Sequence, residues 1–332
     1  MSAHPLFKPY LALAAVCAFW GTTYLAIRMS LESFPPLVLV SLRYVLAGGI
    51  MLGFAVARGA YIPRGSELRA ACLAGFLTLG IGNGGLGFAE VLIPSGVASL
   101  IVTIQPFWMV GLEALLPGGE RLHAPTIGGM AVGLAGAALL FTPDAGTHFN
   151  RNLIDGFLIL QVALAAWSYG SIYQRRKAGQ AHPIIAAAVQ QLAAGLILAP
   201  FALLIPQPPV HITARGVGAL LYLVVFGSIV GYSAYVYAMD RLPVAIVSVY
   251  TYLNAVVAVA LGWLVYREPF GWRETLAMAV IFAGVAIVKR FSRQPARPRE
   301  SLAGARARRY FSAGQLGAER ASGHAQAGDE DE

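Results

Sequence analysis

The stretch MAVGLAGAA, Met130–Ala138, returns as MAVIFAGVA, Met278–Ala286, with six of nine positions identical. The same offset, between 147 and 149 residues, runs through the chain. Trp20 falls on Trp167, Ala47 and Gly48 on Ala194 and Gly195, Gly82 on Gly231, Pro94 on Pro243, Ser99 on Ser248, and Glu120 on Glu268. Richness in Ala and Gly does not produce matches that keep one offset over this length. The chain is an internal duplication.

What was duplicated follows from composition. Hydrophobic residues make up 57% of the chain and charged residues 12%, with a mean hydropathy of +0.65, against roughly 25% charged in a soluble domain. Apolar runs of about 20 residues, enough to cross a hydrocarbon core, are expected at 10–29, 36–57, 70–90, 94–116, 124–142, 153–174, 184–205, 216–239, 244–266 and 273–288. Five fall in each half, so the second half enters the membrane from the opposite side and the repeats are inverted. The expected fold is all-α: a polytopic membrane protein of ten transmembrane helices built from two inverted five-helix repeats. The repeats span 9–142 and 153–290, joined by a loop over 143–152 and followed by a disordered tail over 291–332.

Charge placement sets the orientation. Lys8, Arg58, Arg64, Arg69, Arg121, Arg175, Arg176, Lys177, Arg241 and the basic tail share the amino-terminal side, while Arg28, Arg151, Arg215, Arg267 and Arg273 take the other. The positive-inside rule then puts both termini in the cytoplasm. The net charge of +8 reports topology and a basic tail, and implies no nucleic-acid partner. The first span is expected to remain uncleaved, because it has a counterpart around Trp167 and no small-x-small site follows it. Cys17 and Cys72 lie within predicted helices, so neither a disulfide framework nor a metal cluster is expected.

His4, His123, His148, His182, His211 and His324 all lie outside the spans, and Arg43 and Glu113 are the charges well inside them, with Arg28, Glu90, Asp155 and Asp240 at the edges. An intramembrane enzyme needs a cluster of acids, bases or metal ligands, and none is seen in the sequence. Gly80-x-Gly82-x-x-Gly85 matches the spacing of a dinucleotide fingerprint but sits in an apolar helix without the preceding strand. Gly80 with Gly84, Gly129 with Gly133, and Gly227 with Gly231 read better as small-xxx-small packing faces.

Polar and aromatic residues at mid-membrane depth remain to be explained. The candidates for lining a substrate pocket are Trp20, Thr23, Arg43, Asn83, Gln105, Trp108, Trp167, Tyr169, Tyr235 and Asn254. Inverted copies bring such positions together near the bilayer midplane, where transporters of this design hold their cargo. The competing reading is local: Thr and Ser bond back to their own helix, and Trp and Tyr fill gaps or sit in the interfacial belt. Arg43 lies about 10 Å past Pro36 at 1.5 Å per residue, where it either draws an anionic group toward a cavity or snorkels or pairs structurally. Its repeat partner is Gln190. Glu113, near the end of its span, fits a carboxylate reaching headgroup water better than a proton-coupling site. Pro106 interrupts the fourth span and Pro200 the seventh, each favouring a kink. The partner of Pro106 is Ala255.

The Trp20-Gly21-Thr22 turn, Arg43, the Pro94–Pro106 stretch with Ala98, Ser99 and Gln105, Glu120 with the Gly-rich helix from Gly128 to Gly136, and their echo from Pro243 to Glu268 and Gly284 resemble the drug/metabolite transporter superfamily, in its EamA-type branch. The similarity covers residues 10 to 290. It implies a ten-helix carrier in an inner or plasma membrane, a central cavity opening alternately to each side, and often export of amino acids or related metabolites. Trp167-Ser168 replaces Trp20-Gly21 in the second copy, so the binding role need not be shared equally. The expected partners are a small-molecule substrate and the lipid bilayer, with a homodimer left open and no cofactor. The alternatives are a membrane-embedded enzyme on lipid-linked substrates and a non-transporting membrane scaffold.

Overall fold

Backbone polar groups inside a bilayer must be satisfied within the segment that carries them, which leaves long apolar stretches the choice of helix or closed barrel. The computed structural model describes residues 7–117, 122–139, 151–177, 181–242, 244–247 and 250–291, and among these there is helix and no strand. The first half runs α1 (Phe7–Leu31), α2 (Pro36–Ala57), α3 (Gly65–Gly75), a π-helical segment (Phe76–Asn83), α4 (Gly84–Leu92), α5 (Ser95–Val102), α6 (Gln105–Leu115) and α7 (Ala124–Leu139). The second repeats the order: α8 (Arg151–Arg176), α9 (Pro183–Leu204), α10 (Ala214–Tyr222), a π-helical segment (Leu223–Tyr232), α11 (Ser233–Arg241), α12 (Val244–Val247), α13 (Tyr250–Tyr266) and α14 (Trp272–Phe291). The two π-helical segments fall at equivalent places in the two copies. A feature that costs hydrogen-bond quality and recurs in both halves is a feature of the duplicated unit.

Local chemistry explains several ends. Pro36 and Pro183 occupy the first helical turns of α2 and α9, where the missing N–H costs nothing. Thr213 caps α10 by accepting from the Gly216 amide at 3.0 Å. Gly59, beyond the end of α2, has φ +65°, a conformation natural to glycine.

Seven helical stretches are long and apolar enough to cross a membrane: Phe7–Leu31, Pro36–Ala57, Gly65–Leu92, Ser95–Leu115, Arg151–Arg176, Pro183–Leu204 and Ala214–Arg241. The other three expected spans coincide with α7, α13 and α14. The first two of these are apolar but shorter, at 16 and 17 residues, and α14 carries Arg273, Glu274 and Arg290 near its ends. The predicted loop over 143–152 meets helix at Arg151 and Asn152, and residues 140–150 lie outside the described residues. So do the repeat positions Glu120, Pro243 and Ser248 and the tail from 292 onward.

The halves interleave. Helix α1 packs along α10, its π-helical segment and α11, and α8 packs in the same way along α3, its π-helical segment and α4. Helix α1 also meets α13, as α8 meets α6, while α2 crosses α9 and α7 crosses α14. Exchanging the halves turns each of these contacts into its partner, as a pseudo-twofold requires. Gly48 and Gly195, identical positions in the duplication, make the α2–α9 crossing close. A Cβ on Gly48 would stand 2.7 Å from the Leu192 Cα, and one on Gly195 would stand 2.6 Å from the Val45 amide nitrogen. Gly129 and Gly136 do the same for α7 against Gly284 and Ile281 of α14, while a Cβ on Gly133 would meet the Phe107 ring of α6.

The expected Gly80/Gly84 packing face is corrected by the structure. A Cβ on Gly84 would meet nothing within 4 Å, and one on Gly80 would meet Phe76 of its own turn. The close approach belongs instead to Gly82 and Gly85, which face Trp167 and Ala163 of α8. The π-helical segment ending at Asn83 changes the turn length, so a face counted at α-helical spacing does not carry across it. The fourth expected span is broken at Thr103–Ile104, with Pro106 in the first turn of α6, whereas α13 runs unbroken through the equivalent Ala255. Pro200 lies inside α9, which continues past it.

Candidate functional site

Between the halves lies a cavity with about 60 Å³ open to the centres of water molecules, where roughly 10–15 Å³ suffices for one. It has room for a few waters or a small solute. Its polar lining is Trp20, Thr23 and Tyr24 of α1, Arg43 of α2, Asn83 at the end of the first π-helical segment, Gln105 opening α6, Trp167 of α8, and Tyr250 and Asn254 of α13. Leu86, Val102, Leu160 and Leu164 supply an apolar wall.

The floor of the cavity is aromatic. The rings of Trp20 and Trp167 meet edge to face at 5.6 Å, and Trp20 lies 5.1 Å from both Tyr235 and Tyr250. Tyr235 is in turn 5.8 Å from Tyr250 and 6.0 Å from Tyr232. Edge-to-face and tilted contacts at these spacings are the favoured arrangements of aromatic quadrupoles. The polar handles are satisfied. Trp20 Nε1 donates to the Gly227 carbonyl at 2.9 Å, and Trp167 Nε1 donates to the Tyr235 hydroxyl at 3.3 Å, which also shares a hydrogen bond with Ser171 at 2.9 Å.

Arg43 is 4% exposed. Its Nε donates to Ser228 Oγ at 2.7 Å and an Nη approaches Asn83 Oδ1 at 3.5 Å, with the guanidinium 5.0 Å from the Tyr44 ring centroid. Among the described residues no carboxylate pairs with it. Ser228 and Gly227 belong to the second π-helical segment, and Asn83 closes the first, so both segments address the same guanidinium. The second has small residues there for a reason: a Cβ on Gly227 would stand 2.7 Å from an Arg43 Nη and 3.1 Å from Thr23 Cγ2. Asn254, also in the lining, is 2% exposed, and its Oδ1 meets no donor among the described residues. Gln105 Oε1 accepts from the Tyr250 hydroxyl at 3.2 Å.

Of the residues singled out from the sequence, Trp20, Thr23, Arg43, Asn83, Gln105, Trp167 and Asn254 come together around the cavity. Thr23 does so with its hydroxyl committed to the Trp20 carbonyl at 2.7 Å. Tyr235 stands behind the lining, in the floor. Trp108 and Tyr169 are elsewhere: Trp108 donates to Gln161 at 3.0 Å, and Tyr169 is exposed beside Tyr173. Sequence reasoning left out Tyr250 and Ser228. Tyr250 directly precedes a polar run ending at Asn254, which offers a signal, whereas nothing local distinguishes Ser228 from a helix-bonded serine. Glu113, 2.9 Å from Arg176 and partly exposed, makes a surface ion pair. No group of His, Cys, Asp and Glu among the described residues could hold a metal ion.

Comparison with known proteins agrees with the doubled helical fold. The chain matches the EamA-like transporter family over residues 7–142 and again over 155–290, so the family unit occurs twice, as the duplication requires. It is 34% identical over 286 residues to the uncharacterized inner membrane transporter YedA of Escherichia coli K12, covering 86% of this chain and 90% of that protein. It is 27% identical over 291 residues to a probable amino-acid metabolite efflux pump of Salmonella typhimurium LT2, covering 84% and 93%. A crystal structure with 24% identity superposes at a TM-score of 0.63 over 86% of this chain and 99% of that one, which shows a shared fold. Built from two copies of one helical membrane unit, the chain belongs to the EamA-like transporter family of the drug/metabolite transporter superfamily and is a membrane transporter.

Proposed function

We propose that this transporter exports a small zwitterionic or anionic metabolite, an amino acid or a close relative, from the cytoplasm across the inner membrane. The observation that carries the reading is Arg43, a buried guanidinium lining the cavity with no carboxylate partner among the described residues. A charge held out of water without a counter-charge is costly, and a carboxylate on the cargo supplies what the protein withholds. The unpaired Asn254 Oδ1 of the same lining offers an acceptor for an ammonium group, and the aromatic floor accommodates a modest side chain. The resemblance to a probable amino-acid metabolite efflux pump supports the same cargo class.

Access alternates. The cavity takes residues from α2 and the first π-helical segment but none from α9 or the second, although those are their repeat partners. Inverted repeats in unequal conformations give a cavity open toward one side, and exchange of the two conformations opens the other. Both termini are cytoplasmic, and no cofactor takes part.

The test is counterflow in vesicles reconstituted with the purified chain, using radiolabelled amino acids beside the amines that lack only the carboxylate. Flux is expected for one or more amino acids and to be absent for the matched amines. Equal flux of an amino acid and its amine would exclude the role given to Arg43.

A further inference from the structure

Glu90, in the last turn of α4, is 0% exposed, and neither of its carboxylate oxygens meets a hydrogen-bond donor among the described residues. Its neighbourhood is not empty of charge. Arg28, in the last turn of α1, donates to the backbone carbonyl of Glu90 and leaves the carboxylate alone. Glu268, in the loop between α13 and α14, is fully engaged: Oε1 accepts from the Ser95 amide at 2.9 Å and the Ser95 hydroxyl at 2.8 Å, and Oε2 from the Gly96 amide at 2.9 Å. This carboxylate from the second half therefore clasps the amino-terminal end of α5 in the first, where the helix dipole favours a negative charge.

Arg28 sits on the Glu90 backbone, Glu268 is held nearby at Ser95, and Tyr24 of the cavity wall is a further neighbour of the Glu90 carboxyl. The other elements packed on α4 add no partner. The exposed Arg151 and Asp155 of α8 pair with each other at 3.6 Å, Arg43 of α2 is turned to Ser228 with Tyr44 beside it, and α5 and the first π-helical segment carry no charged group. An ionised carboxylate in such a place is shut away from bulk solvent without a donor among the described residues to hold its charge, and it has a second carboxylate close by.

We propose that Glu90 is a proton-binding site of the transporter, protonated while the Glu268 clasp on α5 is closed and ionised when that end opens. Opening admits water, the Glu90 carboxyl passes its proton to that water, and the resulting carboxylate is stabilised by hydration and by Arg28 swinging from the backbone carbonyl to the side chain. Reclosure requires the proton back, because an ionised Glu90 would be buried against Glu268. Protonation is thereby tied to the position of the clasp, which is the link a proton-coupled carrier needs. The proposal rests on the alternating-access reading, but its test requires no cargo.

Hydrogen exchange at the Ser95–Ser99 amides, measured on the full chain in lipid nanodiscs, separates the outcomes. Wild type and Glu90→Gln are expected to exchange alike at mildly acidic pH. At alkaline pH wild type is expected to exchange about 5-fold faster or more, the lower range of a coupling between two sites. Comparing the two proteins at one pH removes the intrinsic pH dependence of exchange. Equal exchange at both pH values would overturn the proposal. Should Glu90→Gln fail to fold, infrared difference spectra of wild type labelled with carbon-13 glutamate give a second readout. They should show a protonated glutamate carboxyl band at neutral pH that disappears on alkalinisation, and its absence would be equally fatal. Failure of amino-acid flux in vesicles would leave these two measurements unaffected, so loss of the cargo assignment and loss of the proton site are distinguishable.

Discussion

Arg43 and Gln190 hold equivalent positions in the two copies, and both are almost wholly buried, yet the molecule uses them in opposite ways. Arg43 reaches from α2 into the cavity and is met by Ser228 and Asn83. Gln190, 1% exposed on α9, accepts a hydrogen bond from Tyr232 at 2.6 Å and has its backbone pressed against Gly75. Tyr232 is itself the counterpart of Asn83, so a residue that lines the cavity in the first copy is matched by one that seals the core in the second. The duplicated backbone is shared by the halves. The cavity lining is not shared in the same way: α2 and the first π-helical segment contribute to it while α9 and the second do not, and α8 and α13 of the second half complete it.

Replacing Arg43 with its own repeat partner puts that contrast to the strongest test. Arg43→Gln is expected to lower transport efficiency for a carboxylate-bearing cargo about 100-fold, since a desolvated charge pair is worth roughly 2–5 kcal/mol. Vesicle uptake kinetics would read this, and Gln190→Leu should leave the apparent affinity for cargo unchanged while lowering thermal stability.

The scaffold should behave symmetrically where the recognition does not. Gly48→Val and Gly195→Val each force a side chain against the backbone of the facing helix, at about 1–3 kcal/mol for overpacking. The two variants should lower the unfolding temperature in detergent by similar amounts. A large difference between them would show that the α2–α9 crossing is not shared equally.

Gly227→Ala places a methyl group on Arg43 and Thr23, and is expected to reduce transport about 10-fold with a modest effect on stability, equivalent to roughly 1.4 kcal/mol. Gly84→Ala, at a site with open space around it, should be silent in both assays. The smallest effect concerns the paired tryptophans. Trp20→Phe removes a donor to the Gly227 carbonyl and should cost about 1 kcal/mol of stability. Trp167→Phe removes only the longer contact to Tyr235, whose hydroxyl keeps Ser171, and should cost less by the same thermal measurement.

Much of the fold was legible before any coordinates. Absence of charge over long runs dictates helices in a bilayer, and a constant offset between copies dictates which helices correspond. The site was legible in part. Amides and a guanidinium at mid-depth stand out because lipid cannot satisfy them, and Arg43, Asn83, Gln105 and Asn254 do converge. Trp108 and Tyr169 stand out equally in the sequence and lie elsewhere, because an aromatic side chain is as content beside a neighbouring helix or at the surface as around a solute. The Gly80/Gly84 face failed for another reason: a π-helical segment alters the spacing on which such a face is counted, and no residue pattern announced it.

Sequence alone, then, determined a doubled, all-helical membrane unit, because hydrophobicity and repetition are properties of the chain itself. Tertiary structure decided which members of each repeat pair face the cavity, where the close helix crossings fall, and that Glu90 is buried without a donor among the described residues while Glu268 clasps α5. Those outcomes depend on residues far apart in the chain meeting through the crossing of helices, and no local pattern encodes which repeat's residue turns inward and which stays in the core.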